Sequence, residues 1–521
     1  MTAAVAGASQ SAAVRREAWR IGLLVFAWLA FTAWARPLML PDEGRYAGVA
    51  WEMMRSQDWL TPTLNGLPFF HKPPLFYWIT AASMSLLGPG QWSARTASLL
   101  GATLGAMALY LFTRRWYGER PARSALLVLL VQPMWFLGGQ FANLDMLVAG
   151  CIVACTLALA HAALLVEAAR PHRASLLAAY ALAALGVLAK GLIGFVIPAL
   201  IVTAWLLLRR RWGSVWRLLS LPGALLFLAI AGPWFYAMAT RFEGFLHYFF
   251  VVQHFQRFAA GGFNNVQPFW FYPAVLALFS LPWLPWWRAP LPASDQAPAP
   301  AQRAGVLLMQ VALATVLLFF SLPQSKLLGY ILPAVPPLAW LLARHRPAPQ
   351  ATLRAQRWWW ATVAFTACVG LVAVGALALD RKHSARALGQ ALAAARQPGE
   401  PVLMLGLYLY DVPLYARLTE PVMVMDDWTD PDVTQRDSWR KELWDAGQFA
   451  PARAARLLVG ADAARAALCH APVAWVIGWT PAGNGPGLPR WMGQATAIRQ
   501  GHAQTLWRVT PAPCAQTPNG G

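Results

Sequence analysis

Long apolar stretches, set apart by short Arg-rich loops, constrain this chain more than any other feature. The loops carry Arg15 and Arg16, Arg114 and Arg115, Arg170 and Arg173, Arg209 to Arg211, Arg288 and Arg303, and Arg344 and Arg346. A helix that crosses a bilayer needs about 20 mostly apolar residues. Stretches of that kind fit 19–35, 93–112, 122–138, 144–166, 174–189, 191–208, 219–239, 269–287, 305–322, 327–343 and 358–378. The run 174–208 is too long for one helix and divides at Lys190-Gly191. Positive loops stay on the cytoplasmic side. Counting from an inside N-terminus gives eleven spans, or up to thirteen if two are split, and puts every Arg-rich loop inside. The expected fold is therefore a mainly α polytopic membrane protein.

Composition agrees. The chain is 58% hydrophobic and 12% charged, against about 25% charged in soluble domains. Its net charge of +20 belongs to loops that orient helices and meet anionic headgroups. Membrane lipids are thus expected partners and nucleic acid is not. The 28 Trp suit interfacial belts, with clusters at Trp283, Trp286 and Trp287 and at Trp358 to Trp360. Cys151, Cys155 and Cys368 fall in apolar spans as packing residues, whereas Cys469 and Cys514, in the tail, are candidates for one disulfide if the tail lies outside.

Four regions follow: a cytoplasmic tail 1–18, of which 1–13 reads as disordered; a membrane domain 19–379; within it an outer loop 36–92; and an outer domain 380–521. Ala33-Trp34-Ala35 resembles a signal-peptidase site, but an uncleaved anchor suits a chain with so many spans. Pro41-Asp42-Glu43 opens a helix, because Pro suits the first position and acids the first turn. Tyr46, Val49, Ala50 and Met53 recur at helical spacing, which predicts a helix lying flat with its apolar face toward lipid. Residues 74–87 read as a second interfacial or re-entrant helix, and 289–302 as a flexible linker. The tail changes character: β-like runs at 401–405, 422–425 and 473–477, with helical stretches between them such as 452–468, predict a small α/β domain.

Nearly all the unusual polar residues lie in the outer loops. Asp42 and Arg45, three apart, share a helix face; a carboxylate there can accept a proton or hold an amino group, and a guanidinium can grip a phosphate at two points. Glu43 and Tyr46 adjoin them as sugar-pocket candidates. In His71-Lys72-Pro73-Pro74 the prolines fix the backbone and place Lys72 at the interface. An acid at a membrane edge, such as Asp145, is costly and usually functional. Lys190 is either a hairpin tip or a buried phosphate contact. His254 and Arg257 share a face if helical, and His254 with His71 could bind a divalent metal (Zn, Mg or Mn). Lys326 adds an outer cation. Each feature alone has an ordinary structural explanation: a capped helix, a snorkelling Lys, a hydrogen-bonded His. Their convergence on one face suits a lipid-linked phosphosugar, whose departing phosphate needs cations.

The motifs Pro41-Asp-Glu-Gly-Arg-Tyr46 and His71-Lys-Pro-Pro-Leu75 resemble the aminoarabinose lipid A transferase family. That family lies within the dolichyl-phosphate-mannose protein mannosyltransferase superfamily, which has the GT-C fold. Further likeness falls at 143–146, 189–191, 232–234, 254–258, 325–327 and 410–415. The resemblance implies a glycosyltransferase of the bacterial inner membrane, working on the periplasmic face. Its donor would be a sugar on undecaprenyl phosphate and its acceptor lipid A or another envelope glycan. Asp42 would be the catalytic carboxylate and Asp145 its supporting acid. Arg45, Lys72, Lys190, Arg257 and Lys326 would lie on the phosphate side, and His254 and His71 at metal positions. Two positions depart from the family: His71 stands where it commonly has Glu, which changes the pocket charge by one, and Leu328 where it tends to have Pro. Protein O-glycosylation is a rival within the class. A lipid-linked sugar transporter is a rival outside it, but transporters place polar residues near the midplane in repeats, and no repeat is evident here.

Overall fold

A computed structural model of the chain describes residues 2–256, 265–291, 297–380, 382–481 and 488–514, with side chains from residue 14 onward except 254–256. Helices α1 (Thr2–Ala30), α2 (Asp42–Ser56), α3 (Leu75–Leu87), α4 (Gln91–Tyr117), α5 (Glu119–Val131), α6 (Pro133–Gly139), α7 (Leu144–Glu167), α8 (Arg173–Lys190), α9 (Ile193–Leu208), α10 (Trp212–Leu218) and α11 (Leu221–Arg241) come first. A π-helix at His247–Gln256 follows, then α-helices at Phe271–Phe279, Pro300–Ser321, Val335–Ala343 and Leu353–Ala378. Helix α1 already begins at Thr2, so the segment read as disordered is helical.

Among the described residues six helices are long and apolar enough to cross a membrane. These are α4, α7, α8, α11, Pro300–Ser321 and Leu353–Ala378; the pair α5 and α6, bent by 69° at Gln132, makes a seventh. The protein is a multi-pass membrane protein of mostly helical fold. The bend has a local cause: Pro133 lacks the N–H that a continuous helix needs. Exposed Leu225, Leu228 and Tyr236 on α11, and Phe365, Val369 and Val372 on Leu353–Ala378, form apolar faces suited to lipid. Cys368 lies on that exposed surface, whereas Cys151 and Cys155 are buried. Inside, α4 and α7 approach through glycine: a Cβ on Gly150 would meet the Gly101 carbonyl oxygen at 2.0 Å. The predicted division at Lys190-Gly191 is a real helix break, with Gly191 at φ 104°, a conformation that favours glycine.

The outer loop carries α2, α3 and a small hairpin, β1 (Thr63–Leu64) with β2 (Leu67–Pro68). Asn65 and Gly66 turn it with positive φ. The sequence places the apolar face of α2 on lipid, but the structure buries it in protein. Tyr46, Ala47, Val49, Ala50 and Met53 are enclosed, and the C-terminal domain covers the helix. Gly44 lies against Asp411, Gly48 against the Tyr410 carbonyl, and the Trp51 indole donates to the Leu418 carbonyl.

The C-terminal domain is a six-stranded sheet in the order β5-β4-β3-β6-β8-β7. The strands are β3 (Val402–Leu405), β4 (Met423–Met425), β5 (Leu458–Val459), β6 (Ala474–Trp479), β7 (Gln494–Gln500) and β8 (Gln504–Thr510). The first four pair in parallel, while β8 and β7 form an antiparallel edge. The three predicted β-runs fall on β3, β4 and β6. The stretch 452–468 is not one helix but two, Pro451–Leu457 and Ala461–Leu468, interrupted by β5. Cys469 and Cys514 form a disulfide.

Candidate active site

The first turn of α2 divides its acids between two faces. Glu43 is fully buried, ion-paired with Arg36 and Arg95. Backbone N–H groups of Met39 (3.0 Å) and Ala142 (2.8 Å) donate to the same carboxylate. Burial pushes its carboxyl up, but the two guanidiniums outweigh burial and hold it at about 2. Glu43 thus turns into the protein and pins α2 to α4 and to the segment after α1, rather than facing a sugar.

Asp42 faces the other way and is the more exposed acid, at 29%. Arg45, one helical turn on, pairs with it and with Glu442, which comes from the C-terminal helix Trp439–Gln448. The Tyr410 hydroxyl donates to Glu442 at 2.6 Å. The Arg45 guanidinium also lies over the Tyr46 ring at 4.9 Å and the Tyr410 ring at 5.8 Å. Tyr46 therefore packs under the cation at the site.

Asn143 continues the cluster toward the bundle. Its amide donates to Asp42 at 3.4 Å, while its carbonyl oxygen accepts the Asp145 N–H at 2.9 Å and caps α7. Asp145 then pairs with Lys190, the last residue of α8. Of the two alternatives read for Lys190, the structure shows the hairpin: it ends α8 at the turn into α9, and its ammonium is largely buried. That ammonium lies 4.2 Å from the Tyr330 ring centroid. Gly329 permits this approach, because a Cβ there would meet an Asp145 carboxylate oxygen at 2.2 Å.

A second cluster gathers around His71, which is stacked on Phe69. Its Nε2 lies 4.0 Å from Asp445. The Tyr248 hydroxyl donates to Asp445 at 3.0 Å, and Lys441 lies 3.5 Å from the same carboxylate. Burial pushes the Asp445 carboxyl up. Glu442 and Asp445 are three apart on one helix, so a single face of Trp439–Gln448 reaches both clusters. Lys72 sits half-buried just before α3. Lys326 is placed differently: its ammonium donates to the carbonyls of Gln267 (2.9 Å) and Pro323 (2.5 Å), tying two loops together. The His254 side chain and Arg257 lie outside the described residues.

His71 and Asp445 offer one imidazole and one carboxylate, two donors where a metal site needs three or more. Among the described residues, the only group of three close metal-ligating types is Cys469, His470 and Cys514, whose thiols are spent in the disulfide. Sequence reasoning missed Glu442, Asp445, Tyr410 and Tyr330 as members of the site. Acids three apart in a helical stretch were the available signal for the first two.

The site sits within a recognisable frame. Residues 71–236 match the family model described as dolichyl-phosphate-mannose-protein mannosyltransferase. Among curated proteins the chain is 37% identical over 314 residues to the undecaprenyl phosphate-alpha-4-amino-4-deoxy-L-arabinose arabinosyl transferase 1 of Sodalis glossinidius, covering 60% of this chain and 55% of that one. It is 33% identical over 352 residues to the corresponding transferase of Enterobacter sp., covering 66% and 62%. The matched region thus spans little more than half the length of these relatives. In three dimensions the chain is similar to ArnT from Cupriavidus metallidurans bound to undecaprenyl phosphate, with TM-score 0.75 at 23% identity over 95% of this chain and 98% of that one. The resemblance first read from the motifs is thereby matched in sequence and fold, and the chain has the GT-C architecture.

Proposed function

We propose that this protein is a glycosyltransferase that moves 4-amino-4-deoxy-L-arabinose from undecaprenyl phosphate to lipid A. The observation that carries the reading is the linked cluster Arg45–Asp42–Asn143–Asp145–Lys190, closed from above by Glu442. It holds two cations and acids where the helical bundle meets the C-terminal domain. The names of the relatives support the donor and the sugar. The Arg-rich loops and apolar stretches support a setting of eleven spans in the bacterial inner membrane, with this cluster and the C-terminal domain on the periplasmic face.

In the reaction, the bond between the anomeric carbon and the carrier phosphate oxygen breaks, and a bond from that carbon to an acceptor oxygen forms. The electron pair leaves with undecaprenyl phosphate. Arg45, Lys72 and Lys190 offset the charge that grows on this leaving group. A lipid A phosphate is already ionised, so it needs no base. Asp42 then holds the sugar's amino group and orients its anomeric carbon, which gains more from positioning than from proton transfer.

The test uses purified protein in lipid nanodiscs with labelled undecaprenyl-phosphate aminoarabinose and lipid A. Labelled lipid A should form in step with free undecaprenyl phosphate. Label appearing only in water, or remaining on the carrier, would refute the assignment.

A further inference from the structure

The far end of α2 borders a cavity that the transfer site does not use. Arg55 lies ten residues beyond Arg45, or about 15 Å along the helix at 1.5 Å per residue. There a cavity of about 500 Å³ opens between the outer loop and the C-terminal domain. Arg55 lines it from α2, and Arg453 and Arg456 line it from the helix Pro451–Leu457.

The acids of this wall are already engaged. Glu52, 6% exposed, accepts from the Thr63 hydroxyl (2.7 Å) and from the N–H groups of Asn65 (2.6 Å) and Gly66 (2.9 Å), fixing the hairpin turn. Burial pushes its carboxyl up, against the hydrogen bonds and the Arg55 charge that hold it down. Asp58 accepts from Leu60 and Thr61 and is faced by Arg241 at 3.7 Å. The three guanidiniums are less committed. Arg453 donates to the Gly66 carbonyl at 2.7 Å, and the Arg55 Nε is buried with no hydrogen-bond partner. Among the described residues, none of the three has a carboxylate within ion-pair distance. Arg55 and Arg456 each stand in the last turn of a helix, where cations offset the dipole. That explains each one singly. It does not explain why three cations from two domains converge on one cavity whose two acids, Glu52 and Asp58, are already held by other donors.

Guanidiniums grip phosphate oxygens in pairs, and a cavity of this size suits a sugar phosphate. Its distance from Asp42 means that a group held here is not the one that reacts. We propose that the cavity binds a second phosphate of an extended phosphosaccharide acceptor while its reacting group lies beside Asp42. This rests on the transferase reading and specifies its acceptor: a polyanionic saccharide headgroup that spans the length of α2.

Binding, rather than turnover, separates this proposal from that reading. Donor-free, full-length protein in phosphatidylcholine nanodiscs is titrated with bisphosphorylated lipid A and with its dephosphorylated counterpart. Arg456→Glu, on an exposed side chain, should weaken binding of the bisphosphorylated lipid at least tenfold and leave the dephosphorylated one unchanged. Arg453→Glu should act in the same way, and affinity for undecaprenyl phosphate should not move in either variant. Equal binding by wild type and both variants would overturn the proposal, as would an equal loss for both lipids. So would full displacement of the bisphosphorylated lipid by phosphatidylglycerol nanodiscs or by inorganic phosphate at the same phosphate concentration, since the cavity would then recognise no saccharide. If binding behaves as stated but no sugar is transferred, the function fails and the cavity assignment stands.

Discussion

Asp42 and Glu43 are neighbours in sequence with opposite fates. Glu43 lies between two buried guanidiniums and two backbone donors, and its oxygens have no capacity left for a substrate. Asp42 faces a half-open cluster whose cation is shared with the C-terminal domain. The closed side holds α2 in place, and the open side can exchange partners with a substrate. Identity alone does not separate the two acids; their surroundings do.

The largest expected effect is on the closed side. Glu43→Ala strands Arg95 and Arg36, both buried, and removing one partner of a buried pair costs about 3–5 kcal/mol. Little folded protein should reach the membrane, as judged by detergent size exclusion and thermal unfolding. Asp42→Ala should leave the folded yield nearly unchanged. Equal destabilisation by both would break the comparison.

Next comes Arg45→Ala, which should lower transfer by about 10²–10³, the scale of losing one donor to a developing negative charge. It also leaves Glu442 without its cation, so some stability is lost. Adding Glu442→Gln should restore unfolding temperature but not transfer, a separation that a double-mutant cycle reads directly. Glu442→Gln alone should reduce kcat about tenfold through a misplaced Arg45, with the fold intact.

The smallest effect concerns Asp411, where the C-terminal domain touches Gly44. Burial pushes its carboxyl up to about 7. A carboxyl raised on folding gives stability that is complete below its unfolded value near 4 and lost as pH rises through about 7. Wild-type unfolding temperature should therefore fall by a few degrees between pH 5 and pH 8. Asp411→Asn should flatten that slope, and an unchanged slope would refute the buried-acid account of this contact.

Much of the architecture was legible because it follows from local rules. Apolar length marks membrane helices, and Lys190-Gly191 marks a break. The site was legible where it follows the chain: Asp42 with Arg45, and Asn143 with Asp145. It was illegible where distant segments meet. Nothing around Trp439–Gln448 announces that Glu442 will reach Arg45, 397 positions away. Nor does the composition of 41–53 distinguish a face on lipid from a face under a second domain. Strand β7 was missed because it is exposed along its length.

The most direct measurement is mass spectrometry of lipid A from three strains: one lacking this gene, one carrying it, and one carrying Arg45→Ala at matched protein level. Lipid A should gain the mass of an aminopentose with the wild-type gene, and the gain should vanish with Arg45→Ala. An unchanged lipid A in the wild-type strain with donor present, or full modification in the Arg45→Ala strain, would contradict the account.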